Sequence, residues 1–163
     1  MQLEQFLELF NPLPGNHYLE VTTAPDAISV ALEDLMQSVD GEFQLALYAS
    51  EESASNPTLS HTKVQFIHNL KNPFRALPRD NDMILFKDIF SKHENPELLL
   101  RIAYRTLANA AHIIIMEKKG LLEIEKLQEL LEKFEFRAPN SIDIFPEYDL
   151  VMAKKMHMWG NGL

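Results

Sequence analysis

Cysteine is absent from the 163 residues, which excludes disulfides, thiolate metal sites and a cysteine nucleophile and agrees with a reducing compartment. Glycine occurs only five times. The chain has neither a P-loop nor a Gly-x-Ser-x-Gly elbow, so nucleotide triphosphatase and serine hydrolase chemistry lack their basic parts. No segment approaches the ~18 consecutive apolar residues of a membrane span, and the opening "MQLEQFLELFNPLPG" has no basic start of a secretory signal. Excess positive charge is missing too. The formal net charge is −9, and the pairs Lys118-Lys119 and Lys154-Lys155 are too short to offer phosphates a basic stripe. The histidines His17, His61, His68, His93, His112 and His157 show neither His-x-His nor His-Glu-x-x-His spacing, so no metal site is expected. A cytoplasmic protein is expected, with no membrane and no nucleic acid among its partners.

What is present reads as one α/β domain. Hydrophobic residues make up 46% of the chain, and a chain of this length buries roughly 70% of its unfolded surface. Leu3, Phe6, Leu7 and Phe10 recur at helical spacing over residues 2–10, and Pro12, Pro14 and Gly15 end that helix. "HYLEV" is a first strand. Pro25 and Asp26 open a helix whose inward face is Ile28, Ala31, Leu32, Leu35 and Met36, ending near Val39-Asp40-Gly41. "EFQLALYAS" is a second strand, "EESASNPTLSHTKV" a loop or one weak helical turn, "VQFIHNL" a third strand, "KNPFRALPRDN" a loop and "DMILFKDIF" a fourth strand. Asn95, Pro96 and Glu97 start a helix over "NPELLLRIAYRTLANA". "AHIIIMEKKG" is a fifth strand, apolar enough to be covered on both faces. "LLEIEKLQELLEKFEF" is an amphipathic helix, and two strands flank Pro146-Glu147 in the tail. The expectation is a three-layer, doubly wound, mostly parallel seven-stranded sheet with a C-terminal antiparallel hairpin. Residues 1–163 form a single domain, with 1–14 an N-terminal helix and linker and 156–163 a flexible tail.

The second half, "NDMILFKDIFSKHENPELLLRIAYRTLANAAHIIIMEKKG", resembles the central region of class I S-adenosylmethionine-dependent methyltransferases. Asp82 matches an acid that opens the family's fourth strand. Asn109, Ala110 and Ala111 replace the Pro-Gly-Gly of its corner before the fifth strand. "LLEKFEFRAPNSIDIFPEYDLVMAKK" resembles the family's last helix and closing hairpin. "HYLEVTTAPDA" then falls at the first motif, an acid followed by Gly-x-Gly-x-Gly. Glu20 matches the acid, while Thr22, Ala24 and Asp26 stand in place of the glycines. Glycine there permits positive φ and close backbone approach to a ligand, which β-branched Thr22 resists. Asp26 adds a negative charge near the cofactor's carboxylate, a repulsion worth ~1–3 kcal/mol in a partly desolvated cleft.

The resemblance therefore implies a methyltransferase-like domain that has lost cofactor binding and acts as a binding or assembly module. The alternative is an active S-adenosylmethionine-dependent enzyme with an atypical first motif. In that case Glu20, Thr22, Asp26 and Glu51 (or its neighbour Glu52) hold the cofactor. Asp88 and His93 are then the candidates for deprotonating a substrate. Open α/β sheets bind ligands beyond the carboxyl ends of their strands, where Thr23 and Glu117 also fall. The plainer readings are that Asp26 caps a helix, that Asp88 and Glu117 are solvated strand ends, that His93 lies in a surface loop and that His112 is structural. Trp159 either anchors a partner or packs the tail. The segments joining strands two, three and four are too short and polar for the usual helices. A sheet face is expected to lie open there, inviting a second copy or another protein.

Overall fold

A computed structural model describes residues 2–49 and 59–156. Glu51, Glu52, His157 and Trp159 lie outside the described residues. Eleven elements are described: α1 (Gln2–Leu7), β1 (His17–Thr22), α2 (Ala27–Ser38), β2 (Glu42–Leu47), β3 (Thr62–Phe66), β4 (Asn81–Lys87), α3 (Pro96–Thr106), β5 (Leu107–Lys118), α4 (Ile124–Lys133), β6 (Phe136–Ser141) and β7 (Tyr148–Lys155). The strands form a seven-stranded sheet in the order β3-β2-β1-β4-β5-β7-β6. Strands β1 to β5 run parallel. Strand β7 is antiparallel to both β5 and β6. The chain winds outward from β1 to β3, then returns to lay β4 on the other side of β1. The gap between β1 and β4 is therefore the topological switch point, where doubly wound sheets receive ligands.

Both faces are covered, which explains the isoleucine run. Ile113 and Ile115 point to one face with Leu99, Leu100, Leu127 and Leu131 of α3 and α4. Ile114 points to the other, with Phe6, Leu32 and Met36 of α1 and α2. Alternation along an extended strand sends successive residues to opposite layers, and each buried isoleucine contributes about 1.5–3 kcal/mol.

The segment between β3 and β4 carries no helix, as the sequence suggests, yet the sheet face beneath it does not lie open. Phe74 is only 2% exposed and meets Phe86 edge to face at 5.7 Å. Reciprocal bonds hold this plug: Gln65 Nε2 donates to the Arg75 carbonyl at 2.7 Å, and Arg75 N–H donates to Gln65 Oε1 at 2.8 Å. Apolar exposure survives instead at Val64 in β3 and at Leu70 and Leu77 in the β3–β4 segment.

Several boundaries differ from expectation. Helix α3 ends at Thr106, four residues early, where the Thr106 hydroxyl bonds back to the Ile102 carbonyl at 2.8 Å. Residues 107–110 join β5 instead, and Leu107 pairs with Asn81. The β6 strand lies at Phe136–Ser141 rather than after Ser141. Its Pro139 is tolerated because β6 is an edge strand whose register shifts between Arg137 and Asn140. Strand β3, finally, begins and ends earlier than "VQFIHNL". No helix among the described residues is long and apolar enough to cross a membrane.

Candidate functional site

At the switch point, strand β1 delivers a buried carboxyl to the start of α2. Asp26 is the N-cap of that helix. Its Oδ1 accepts from the Ile28 N–H at 2.9 Å, and its own N–H donates to Ser29 Oγ at 3.1 Å. The Ser29 hydroxyl in turn donates to Glu20 Oε1 at 2.7 Å. Glu20 is 0% exposed, and its Oε2 has no hydrogen-bond partner among the described residues. Burial lifts its pKa to about 7. The Ser29 bond and Lys87 pull it back only in part, and Asp26 and Asp88 add to the rise.

Facing this carboxyl is Lys87, the last residue of β4. It is 2% exposed, with its ammonium 2.9 Å from Asp26 Oδ2 and 3.2 Å from Asp88 Oδ2. Burial alone would depress its pKa. Asp26, Glu20 and Asp88 outweigh burial and hold the ammonium charged well above the usual lysine range. Asp88 itself sits at φ 56°, a left-handed conformation that aspartate tolerates better than most residues. Four bonds hold it there. Its N–H donates to the Met116 carbonyl at 3.1 Å, its carbonyl accepts from the Thr23 hydroxyl at 3.1 Å, and its Oδ2 accepts from Lys87 and from the Tyr148 hydroxyl at 2.9 Å. Burial, and then donation to Asp88, raise the Tyr148 pKa to about 12, so its hydroxyl remains a donor at neutral pH.

No family model matches the sequence, and no curated protein matches it. Solved structures do match. A SAM-dependent methyltransferase from Aquifex aeolicus superposes with a TM-score of 0.77 at 16% identity, covering 94% of this chain and 89% of that one. A chain of the Haloferax volcanii complex between the Trm112 methyltransferase activator and a protein assigned as a methyltransferase gives 0.70 at 10% identity, covering 96% and 90%. Phosphoethanolamine N-methyltransferase 2 of Haemonchus contortus, solved with S-adenosyl-L-methionine, gives 0.70 at 8% identity, and this chain spans 52% of its length. The chain has the class I methyltransferase fold.

Within that methyltransferase fold, the residues singled out in the sequence separate into groups. Glu20, Asp26 and Asp88 converge on Lys87. Thr22 is 0% exposed and closes a local turn, its hydroxyl 3.3 Å from both the Ala24 N–H and the Ala24 carbonyl. None of residues 22–26 adopts a positive φ. His93 is not on the surface. It is 5% exposed, its Nδ1 accepts from the Asn95 N–H at 2.9 Å, and its Nε2 therefore carries the proton toward the Asn72 carbonyl at 3.0 Å. It packs edge to face on Tyr48, holding the β3–β4 loop. Glu117, expected at a solvated strand end, is 0% exposed and accepts from the Phe90 N–H and the Ser91 hydroxyl. Asp82 lies at the opposite, amino end of β4, accepting from the His17 N–H at 2.8 Å. Among the described residues no cluster of three or more His, Asp or Glu could hold a metal ion.

Sequence reasoning missed Lys87. A signal was available: a single cation at the end of the apolar run "MILF", followed at once by Asp88. An unpaired charge is rarely buried, so a lysine closing a central strand asks for carboxylate partners.

Proposed function

We propose that this chain is a methyltransferase-like domain that has given up S-adenosylmethionine binding and serves as a cytoplasmic binding or assembly module, formed by residues 1–163 and pairing with itself or with another protein. The observation that carries the reading is Lys87. S-adenosylmethionine presents a sulfonium and an α-ammonium to this rim, and the lysine's own ammonium already occupies the place of such a cation, paired with Asp26 and Asp88. The rest of the loop fits the cofactor poorly as well. Asp26 spends one carboxylate oxygen capping α2, which removes a free N–H from the anion site that a helix N-terminus otherwise offers. The turn from Thr22 to Asp26 has side chains where close backbone approach needs none.

Val64, Leu70 and Leu77 support the partner half of the proposal, being exposed apolar residues of β3 and of the β3–β4 segment, where the helices are reduced. The Haloferax volcanii neighbour is a chain of a complex with a methyltransferase activator, a precedent for protein partnering on this fold. A second reading, an active methyltransferase with an atypical first motif, draws on Glu20 Oε2, a buried polar atom left without a hydrogen-bond partner among the described residues. In that reading Glu20 and Glu51 orient the cofactor.

Calorimetric titration with S-adenosylmethionine and S-adenosylhomocysteine tests the first half. No heat and no shift in melting temperature at about 1 mM ligand is expected. A Kd near 1 μM, about −8 kcal/mol, would overturn it in favour of the active enzyme. Sedimentation tests the second half, since a mass at the 18.8 kDa of one chain at every concentration removes self-pairing.

A further inference from the structure

The opposite end of the sheet holds a cavity of about 320 Å³, within the size range of small-ligand sites. It opens at the amino ends of β1, β4 and β5, away from the rim of Lys87, and is independent of the proposal above. Phe10, Leu13, Tyr18, Asp82, Met83 and His112 supply its chemistry. Phe10 and Tyr18 stand edge to face with ring centroids 5.6 Å apart, giving the cavity an aromatic corner. The Asp82 carboxylate accepts one hydrogen bond, on Oδ2 from the His17 N–H. Its second oxygen has no partner among the described residues.

Nothing in the lining offsets that negative charge. Burial, and then the neighbouring Lys154, hold the His112 pKa below the ordinary histidine value, so the ring is neutral at pH 7. Burial and the Asp82 charge raise Tyr18 to about 12, so it stays a neutral phenol. Just outside, Asp80 and Glu42 flank His17 at 3.1 and 3.0 Å, Lys63 lies 3.8 Å from Glu42, and Lys154 pairs with His112 in the sheet. An aromatic corner beside a carboxylate with only one oxygen hydrogen-bonded among the described residues is chemistry that recognises an alkylated ammonium, through the rings and the charge together. We infer that this cavity is a binding site for a small organic monocation of the alkylammonium class, held by Asp82, Phe10 and Tyr18.

The test is a titration of the full chain, isotope-labelled for amide NMR, with tetramethylammonium chloride. The neutral isostere 3,3-dimethylbutanol and sodium chloride at matched concentration are the controls. Saturable binding with a Kd of about 1 mM is expected, with shifts at Tyr18, Met83, Ala110 and Ala111 and none at Thr23 or Asp88. The alcohol should bind at least tenfold more weakly. Asp82→Asn keeps an acceptor for the His17 N–H and should weaken binding about tenfold. Phe10→Leu should weaken it severalfold, and it decides the matter if Asp82→Asn melts. Binding of the alcohol as tight as the cation, affinity unchanged in a folded variant, shifts centred on the Lys87 rim, or no saturation by about 50 mM would each overturn the assignment.

Discussion

Replacing Glu20 by glutamine should change how stability depends on pH, because this carboxyl is buried with one oxygen unpartnered. Its pKa rises from 4.5 in a solvated chain to about 7 in the fold. Between those values the folded state holds a proton that the unfolded state has released. Stability therefore falls as pH rises through that window, and the loss is complete above pH 7. The full displacement is worth about 3 kcal/mol, most of it falling between pH 5 and pH 8. Glutamine has no such titration, and its Oε1 can still accept from Ser29. The stability of Glu20→Gln minus that of the wild type should thus grow by about 2–3 kcal/mol from pH 5 to pH 8. His112, whose pKa is lowered, gains stability as pH rises, but it does so in both proteins and cancels in the difference. Lys87, whose pKa is raised, loses its contribution only above the ordinary lysine range, outside the window. Urea unfolding followed by circular dichroism at pH 5, 6, 7 and 8 measures the gap. A gap that stays flat or narrows with pH would refute a buried, largely protonated Glu20.

Phe74→Ala should cost about 3–5 kcal/mol, the range for emptying a buried aromatic site. A loss under ~1 kcal/mol in denaturant unfolding would mean that the β3–β4 segment does not close the sheet. Ala110 sits at φ 72° in the corner before the central part of β5. Ala110→Gly should stabilise by about 0.5–1 kcal/mol, as relief of ~1–2 kcal/mol of left-handed strain exceeds the added chain entropy. A lower melting temperature for that variant would show the corner relaxed in solution.

Ala110 also shows why the sequence spoke clearly about fold and poorly about the site. Element order depends on apolar periodicity, and the runs "HYLEV", "EFQLAL" and "HIIIM" could be read as strands with their helices between them. The corner keeps a glycine-like backbone without glycine, so the residue names concealed a conformation that the fold retains. Boundaries failed where local pattern and pairing disagree. Helical spacing runs from Leu121 through Phe134 and Phe136, and only the turn at Glu135, with φ 70°, moves Phe136 into β6. The candidate site posed a harder problem. Glu20, Asp26 and Asp88 could be named from their positions at strand and helix ends. Their common partner Lys87 could not, because a charge in a strand declares its partners only once three separate segments meet. His93 misled for the opposite reason: its loop is polar in sequence but packs inward, against Tyr48.

Strand β7 sits between β5 and β6, and this placement sets a schedule for synthesis. Strand β6 leaves the ribosome before β7, yet its place in the sheet is secured only through β7. Until residues 148–155 emerge, the outer edge of β5, with Ile113 through Met116, has no strand to cover it. At ribosomal speed that interval lasts on the order of seconds, and for that time the nascent chain carries a long, apolar, unpaired edge of the kind that seeds aggregation. The last strand then closes the sheet in one event. Lys155 secures it by donating to the carbonyls of Tyr104 and Leu107 at 2.6 and 2.8 Å, where α3 hands over to β5. A chain stalled or cut before Tyr148 would keep most of its helices but leave its central sheet edge exposed to any neighbour still being made.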